Sequence, residues 1–131
     1  MAYTPVEAIY TALKSKYEPG TYAVRYPYVY DEAGAPYLYM SEVDDLRDQA
    51  FLCDSRGGDS RITIGLVDTS FESCVDGLEA VIAYCETLAG LYAPITVFWV
   101  IAGDVRDLTS IEQSQGKLYR REFDLIVRWG A

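Results

Sequence analysis

The chain has 131 residues, half of them apolar and 24% charged, which excludes a disordered chain and fits one globular domain with its own core. Its net charge is −9, from 20 acidic and 11 basic residues, which disfavours binding to a phosphate backbone. We interpret the acidic excess as a device for solubility. The alternative is a surface that must not adhere to nucleic acid passing close by.

No run approaches the roughly 20 apolar residues of a membrane helix. The start, Met1 to Pro5, lacks the basic and apolar regions of a signal peptide. We therefore expect a soluble protein made in a cytoplasm, without a membrane partner.

The three cysteines are Cys53, Cys74 and Cys85, an odd count that argues against a disulfide framework. Cys74 and Cys85 are separated by about three helical turns, so they share one helix face and are interpreted as core residues. The chain has no histidine and no Cys-x-x-Cys pair, so we expect neither a metal site nor a cofactor.

The first predicted element is a helix from about Pro5 to Lys16, ending before Pro19-Gly20. Thr4 and Glu7 have the spacing of a capping box, and proline suits the first helical position. Apolar side chains then follow helical spacing at Val6, Ile9, Tyr10, Leu13 and Tyr17.

Four strands are predicted next. They are Thr21 to Tyr30, Tyr37 to Val43, Arg47 to Asp54 and Arg61 to Asp68. Pro27 makes the first an edge or bulged strand. A turn at residues 31–36 follows it, Asp44-Asp45 breaks the second strand, and a flexible hairpin loop, Ser55 to Ser60, precedes the fourth.

A second amphipathic helix follows, with Thr69 and Glu72 as its capping box and Gly90 as its stop. Its predicted core stripe is Phe71, Cys74, Val75, Leu78, Ile82, Cys85 and Leu88. The side chains expected to face water are Asp76, Glu79 and Glu86.

Two long strands complete the chain. Pro94 to Ala102 is apolar on both faces, which is typical of a central strand covered on both sides. Gly103 to Gly116 is predicted to be a polar loop, long enough to be functional or ordered by a partner. The last strand, Lys117 to Trp129, places one apolar row inward: Phe123, Leu125, Val127 and Trp129. Its other row is Arg120, Glu122, Asp124, Ile126 and Arg128.

The resulting order is α-β-β-β-β-α-β-β. We predict a single α+β domain over residues 1–131, in which an N-terminal helix and one long helix pack on a mostly antiparallel sheet.

The sequence offers no reaction chemistry. Histidine, the commonest general base, is absent, and no serine lies in a nucleophile elbow. Gly57-Gly58 joins two predicted strands and is interpreted as a hairpin loop rather than a phosphate loop. The acidic clusters are interpreted as solvated turn residues, with a weak surface cation site as the alternative. They are Asp31-Glu32, and Asp44-Asp45 with Asp48. We predict no catalytic residue and no enzyme.

Twelve tyrosines stand out, several of them in the first two predicted strands: Tyr22, Tyr26, Tyr28, Tyr30, Tyr37 and Tyr39. They fit cross-strand aromatic pairing on a half-buried face, and they fit a protein interface equally well.

Arg120-Arg121 and Arg128 are the densest positive charge and alternate with Glu122 and Asp124. Cross-strand ion pairs on an exposed face explain this pattern, and charges that set the register of a subunit seam are the alternative.

The order of elements resembles a known family. An N-terminal helix precedes an aromatic strand and an acidic turn that runs into Gly-Ala-Pro-Tyr-Leu-Tyr, here Asp31 to Tyr39. A Gly-Gly loop, the strand Arg61 to Val67, a long helix and a closing hairpin that ends Tyr119 to Val127 follow. This layout is similar to the tail terminator, or tail completion, proteins of long-tailed bacteriophages.

The resemblance implies a small α+β structural subunit that forms a ring, typically a hexamer, at the head-proximal end of the tail tube. Such a ring caps the major tail tube protein, meets the head–tail connector protein, and leaves a channel through which DNA passes without specific binding. It implies a location in the virion tail or neck after assembly in the bacterial cytoplasm.

We therefore predict a tail terminator. Another neck or connector component is the nearest alternative, and a small-molecule-binding α+β domain with a tyrosine-lined pocket is the alternative from a different class. The residues predicted to meet partners or neighbouring subunits are Arg56, Asp59, Arg106, Asp107, Glu112, Arg120 and Arg128.

Overall fold

The computed structural model describes residues 4–18, 20–26, 36–47, 57–92, 95–113 and 116–130. Its elements, in chain order, are α1 (Pro5–Tyr17), β1 (Ala23–Arg25), β2 (Tyr37–Arg47), β3 (Gly57–Asp68), α2 (Phe71–Cys85), β4 (Gly90–Tyr92), β5 (Ile95–Gln113) and β6 (Gly116–Gly130). The α+β class predicted from the sequence is confirmed, with two helices and a six-stranded sheet.

The sheet has the order β1-β2-β3-β6-β5-β4. Strand β1 runs parallel to β2, and every other pair is antiparallel. The closing strand β6 is therefore the centre of the sheet, because β3 pairs with one of its edges and β5 with the other.

Both helices pack on the same face of the sheet, which we call the helix-side face. Its buried core joins α1 and α2 to inward rows of β2, β3 and β6; the largest side chains with less than 2% exposure include Ile9, Leu13, Met40, Ile64, Leu78 and Phe123. The inward row predicted for β6 is confirmed, since Phe123, Leu125, Val127 and Trp129 are buried.

Helix α1 begins as predicted. The Thr4 side chain accepts a hydrogen bond from the backbone N–H of Glu7 at 3.3 Å, and Pro5 is the first helical residue. Helix α2 is one-sided as predicted, with Cys74 and Cys85 buried.

The start and end of α2 differ from the prediction. Thr69 does not cap the helix. The cap is Ser70, whose hydroxyl accepts a hydrogen bond from the backbone N–H of Ser73 at 3.4 Å, while the Thr69 backbone N–H donates to the Asp68 carboxylate at 2.6 Å. Phe71 is 51% exposed and makes an edge contact with the Tyr119 ring, so it is not a core residue. The helix ends at Cys85, and Gly90 (φ 157°) begins strand β4, which was not predicted.

The glycine pair predicted to lie in a loop lies in β3. Gly57 is opposite Gly130, and a Cβ at Gly57 would be 2.9 Å from the carbonyl oxygen of Trp129. Gly58 has a φ of 150°, which favours glycine. The pair therefore permits a close approach of β3 to β6.

Strand β2 also continues beyond its predicted end. The register of β2 against β3 shifts between Glu42 and Asp44, and pairing resumes with Asp44 opposite Arg61. The strand therefore continues through Asp44-Asp45. Asp44 and Asp45 are thus strand residues and not turn acids.

The largest correction concerns the final hairpin. The predicted polar loop, Gly103 to Gly116, is strand as far as Gln113, and β6 begins at Gly116. Register shifts between Val97 and Trp99, Ala102 and Val105, and Leu108 and Ile111 let a polar and glycine-containing segment stay paired with β6.

Several predictions fall outside the described residues: the strand beyond Tyr26, the turn at 31–35, nearly all of the third predicted strand, Asp48, Cys53 and Arg56.

Candidate assembly surface

The sheet face opposite the two helices, which we call the outer face, carries most of the residues that the sequence singled out. Direct pairing across the strands places Arg61, Thr63, Gly65 and Val67 of β3 on this face. The matching row of β6 is Arg120, Glu122, Asp124, Ile126 and Arg128, and β5 adds Trp99, Ile101 and Arg106.

Asp124 is the centre of a charged network on this face. Arg106 donates to both of its carboxylate oxygens, at 3.2 and 3.0 Å, which is the bidentate geometry that makes an arginine–carboxylate pair strong. Arg61 donates to the same carboxylate at 3.1 Å, and the Thr63 hydroxyl donates at 2.9 Å. The three strands β3, β6 and β5 are therefore joined through one carboxylate.

The network changes the pKa of its members. Burial opposes ionisation of Asp124, but hydrogen bonds from Arg106 and Thr63 and the charges of Arg106 and Arg61 outweigh it, so the pKa of Asp124 is lowered. Hydrogen bonds to Asp124 and Glu122 raise the pKa of Arg106. Both groups are thus held in their charged forms.

Glu122 extends the network to β2. It accepts a hydrogen bond from Arg106 at 2.9 Å and one from the Tyr39 hydroxyl at 2.6 Å. Tyr39 reaches it by crossing β3 above Gly65, where a Cβ would overlap the tyrosine ring. Glycine at this position is therefore required by a close side-chain approach, not by its backbone conformation.

At the β4–β5 end the outer face is apolar and exposed. Leu91, Trp99 and Ile101 are 75%, 41% and 53% exposed, and Ile126 lies directly opposite Ile101. We call these four residues the apolar patch. Next to the apolar patch, β4 pairs with β5 only at Ile95–Val97. Beyond Val97, no other described strand pairs with this edge of β5.

The patch corrects the prediction for Pro94 to Ala102. An apolar run on both faces indicated a strand covered on both sides, yet β5 has exposed apolar side chains on the outer face. The same pattern fits a strand whose second face is covered by another molecule.

Three of the residues predicted at interfaces, Asp59, Arg120 and Arg128, lie on β3 and β6. Asp59 and Arg128 face each other across β3 and β6, with 3.6 Å between their charged groups. Arg120 lies on the outer face, half-buried, opposite Val67. The interpretation of the β6 charges as cross-strand ion pairs is confirmed for Glu122, Asp124 and Arg128.

Arg106, Asp107 and Glu112 were predicted in the loop and lie instead on β5. Arg106 is part of the Asp124 network, and Asp107 forms an ion pair with Arg121. Glu112 is opposite Lys117 near the end of the hairpin. Arg56 is outside the described residues.

Sequence reasoning missed Tyr39, Thr63 and Arg61 as partners of β6, and Leu91 and Trp99 as exposed residues. For Arg61 and Thr63 a signal was available in the alternation along Arg61 to Asp68, because residues two apart in a strand lie on the same face.

The tyrosines divide between the two faces. Tyr37 and Tyr39 are buried on the outer face, and Arg25 lies over the Tyr37 ring at 4.3 Å. Tyr22 and Tyr26 are half-buried and pack against the helix-side core. All four side chains thus pack within the chain, Tyr37 and Tyr39 fully buried and Tyr22 and Tyr26 half-buried.

The buried cysteines are not poised as nucleophiles. Burial raises the pKa of Cys85 to about 12 and, with the nearby charge of Asp68, raises that of Cys74 to about 11. Among the described residues, no group of three or more acidic or cysteine side chains is arranged to hold a metal ion. Within the same ranges, neither helix has the length and apolar run that a membrane crossing requires.

The fold and this surface define an α+β domain with one helix-covered face and one partly exposed face. No protein-family model matches the chain, and no curated protein matches it significantly.

Proposed function

We propose that this chain is a structural, non-enzymatic tail terminator of a long-tailed bacteriophage. Its copies form a ring, a hexamer by the resemblance, that caps the major tail tube protein and meets the head–tail connector protein. The ring is assembled in the bacterial cytoplasm and becomes part of the virion tail.

The observation that carries this proposal is the apolar patch. Exposed Leu91, Trp99 and Ile101 are grouped at one end of the sheet, beside an edge of β5 that no described strand covers. A grouped apolar surface with a charged rim is typical of a protein–protein interface. The net charge of −9 also suits a channel that DNA passes without adhering.

The tyrosines give less support to a small-molecule pocket. Tyr37 and Tyr39 are 0% and 2% exposed, and the Tyr39 hydroxyl is bonded to Glu122. These two side chains stabilise the sheet and do not present their rings to a ligand.

Oligomeric mass tests the proposal. We expect native mass spectrometry of the purified chain, alone or with a phage tail tube protein, to show a closed ring. Electron microscopy should then show tubes that are shorter and capped at one end when the chain is added. An unrelated acidic protein of similar size is the control for non-specific effects of charge. A chain that stays monomeric in both conditions and leaves tube length unchanged contradicts the proposal.

A further inference from the structure

The outer face carries four arginines in its charged rows on β3, β5 and β6: Arg61, Arg106, Arg120 and Arg128. Three of them, Arg61, Arg106 and Arg128, form ion pairs with carboxylates of the same face, Asp59, Glu122 and Asp124. Arg61 and Arg106 keep 54% and 41% of their side chains exposed. The apolar patch therefore has a rim of arginine, a residue that is enriched at protein interfaces.

Helix α2 presents the complementary surface. Its solvent side carries Glu72, Asp76, Glu79 and, at the C-cap, Glu86, which we call the acidic stripe. Their spacing of four, three and seven residues keeps them on one line along the helix, opposite buried Cys74, Leu78, Val81 and Cys85. The helix contains no lysine or arginine, so the stripe is uniformly negative.

From this pairing we propose that the apolar patch and its arginine rim dock against the acidic stripe of α2 in a second copy of the chain. The inference rests on the proposed ring and identifies which two surfaces form it. The contact joins two different patches of the same subunit, and a repeated contact of this kind closes into a ring when the rotation permits.

The architecture favours a helix as the occupant. A sheet with apolar side chains on both faces is normally covered by helices on both sides, and here both helices of the subunit lie on one side. Helix α2 of a neighbour would supply the missing layer.

Pairing through the β5 edge is less suited to the same task. Register shifts interrupt β5 at three places, and bulges of this kind twist an edge strand and make it a poorer template for another chain. The outer face, and not the β5 edge, therefore offers a continuous surface that is complementary to the acidic stripe.

Two variants that disrupt one surface each test the contact. Ile101→Glu places a carboxylate in the apolar patch, and Asp76→Asn with Glu79→Gln neutralises the centre of the stripe. All three side chains are exposed, so the unfolding midpoint in urea should match that of the wild type. Leu91→Glu, at 75% exposure, replaces Ile101→Glu if the latter is destabilised.

We expect each variant to raise the apparent dissociation constant of the ring roughly tenfold or more. The control is Ser73→Lys with Ala89→Lys, which changes the net charge by the same two units at exposed positions off the stripe and should leave assembly unchanged. A 1:1 mixture of the two interface variants retains one intact junction, so native mass spectrometry should show a heterodimer and no ring.

The outcomes separate the two proposals. If the wild type forms rings and both interface variants do so equally well, or if the control is as impaired as the stripe variant, the contact proposed here is overturned and the ring stands. If the wild type forms no assembly, alone or with tube protein, the tail-terminator proposal fails and takes this contact with it.

Discussion

The two faces of the sheet are stabilised by different physics. On the helix-side face, side chains such as Phe123, Ile64 and Leu78 are buried against the helices, and the driving force is removal of apolar surface from water. On the outer face, one carboxylate joins three strands through hydrogen bonds, and the apolar side chains at the β4–β5 end are exposed.

The contrast separates a face that the helices cover from a face that is partly exposed. Strand β6 supplies a residue to each face in turn, so the same alternation that builds the core also builds the charged network. Among the described residues, both helices cover the helix-side face, whereas the outer face keeps apolar side chains exposed at its β4–β5 end. Substitutions on each face should lower the free energy of unfolding by different amounts, the largest in the helix-side core.

Removing the central aromatic side chain of the core should have the largest effect. Phe123 is fully buried, so Phe123→Ala is expected to lower the free energy of unfolding by roughly 3–5 kcal/mol, from lost transfer energy and a residual cavity. Urea denaturation followed by circular dichroism measures it. The matched control is Phe98→Ala at a side chain 59% exposed, which should change stability by about 0.5 kcal/mol or less. Equal losses for both would show that burial in the core is not the source of the effect at Phe123.

The crossing of Tyr39 over Gly65 is the next test. A Cβ at Gly65 would overlap the Tyr39 ring, so Gly65→Ala must displace the tyrosine and weaken its bond to Glu122. We expect a loss of about 1–3 kcal/mol in the same denaturation assay.

A double-mutant cycle identifies the cause of that loss. With Tyr39→Leu in the background, Gly65→Ala should cost clearly less than it does alone. The control Gly20→Ala should have little effect, because no atom lies within 4 Å of its Cβ. An unchanged cost in the Tyr39→Leu background would refute the crossing as the reason for glycine.

The smallest expected effect, and the one that depends on pH, is Asp124→Asn. This change removes the charged acceptor shared by Arg106 and Arg61, and we expect a loss of about 1–2 kcal/mol at neutral pH. Because the folded pKa of Asp124 is lowered, its contribution is complete above the unfolded pKa and disappears as the pH falls through the folded value.

The difference between wild type and Asp124→Asn should therefore shrink as the pH is lowered below about 4, measured by urea denaturation from pH 7 to pH 2. Asp104→Asn, at an exposed position of β5, is the matched control and should show no comparable loss. A difference that is constant across this pH range would exclude ionised Asp124 as the source of the stability.

The sequence predicted the elements whose signal is local. The capping pair Thr4–Glu7 begins α1 because the cap and the hydrogen bond lie within one turn. The alternation from Phe123 to Trp129 predicted the inward row of β6, since a two-residue period depends only on the strand itself.

The failures share a different cause. Gly57-Gly58, Asp44-Asp45 and the segment from Gly103 onward all carry turn-like composition, yet all lie in strands. In each case a neighbouring strand explains the result, through a close approach at Gly57 or through register shifts in β2 and β5. The amino-acid composition of a segment gives no information about where the neighbouring strand lies.

The sequence by itself therefore determined the α+β class, the two amphipathic helices and the rows of β6, because these follow from periodicity along one segment. Only the tertiary structure decided that β6 is central, that Asp124 gathers Arg61, Thr63 and Arg106, and that Trp99 and Ile101 remain exposed. Those features depend on strand order and register, which bring together residues far apart in the chain, such as Arg61 and Asp124, 63 positions apart.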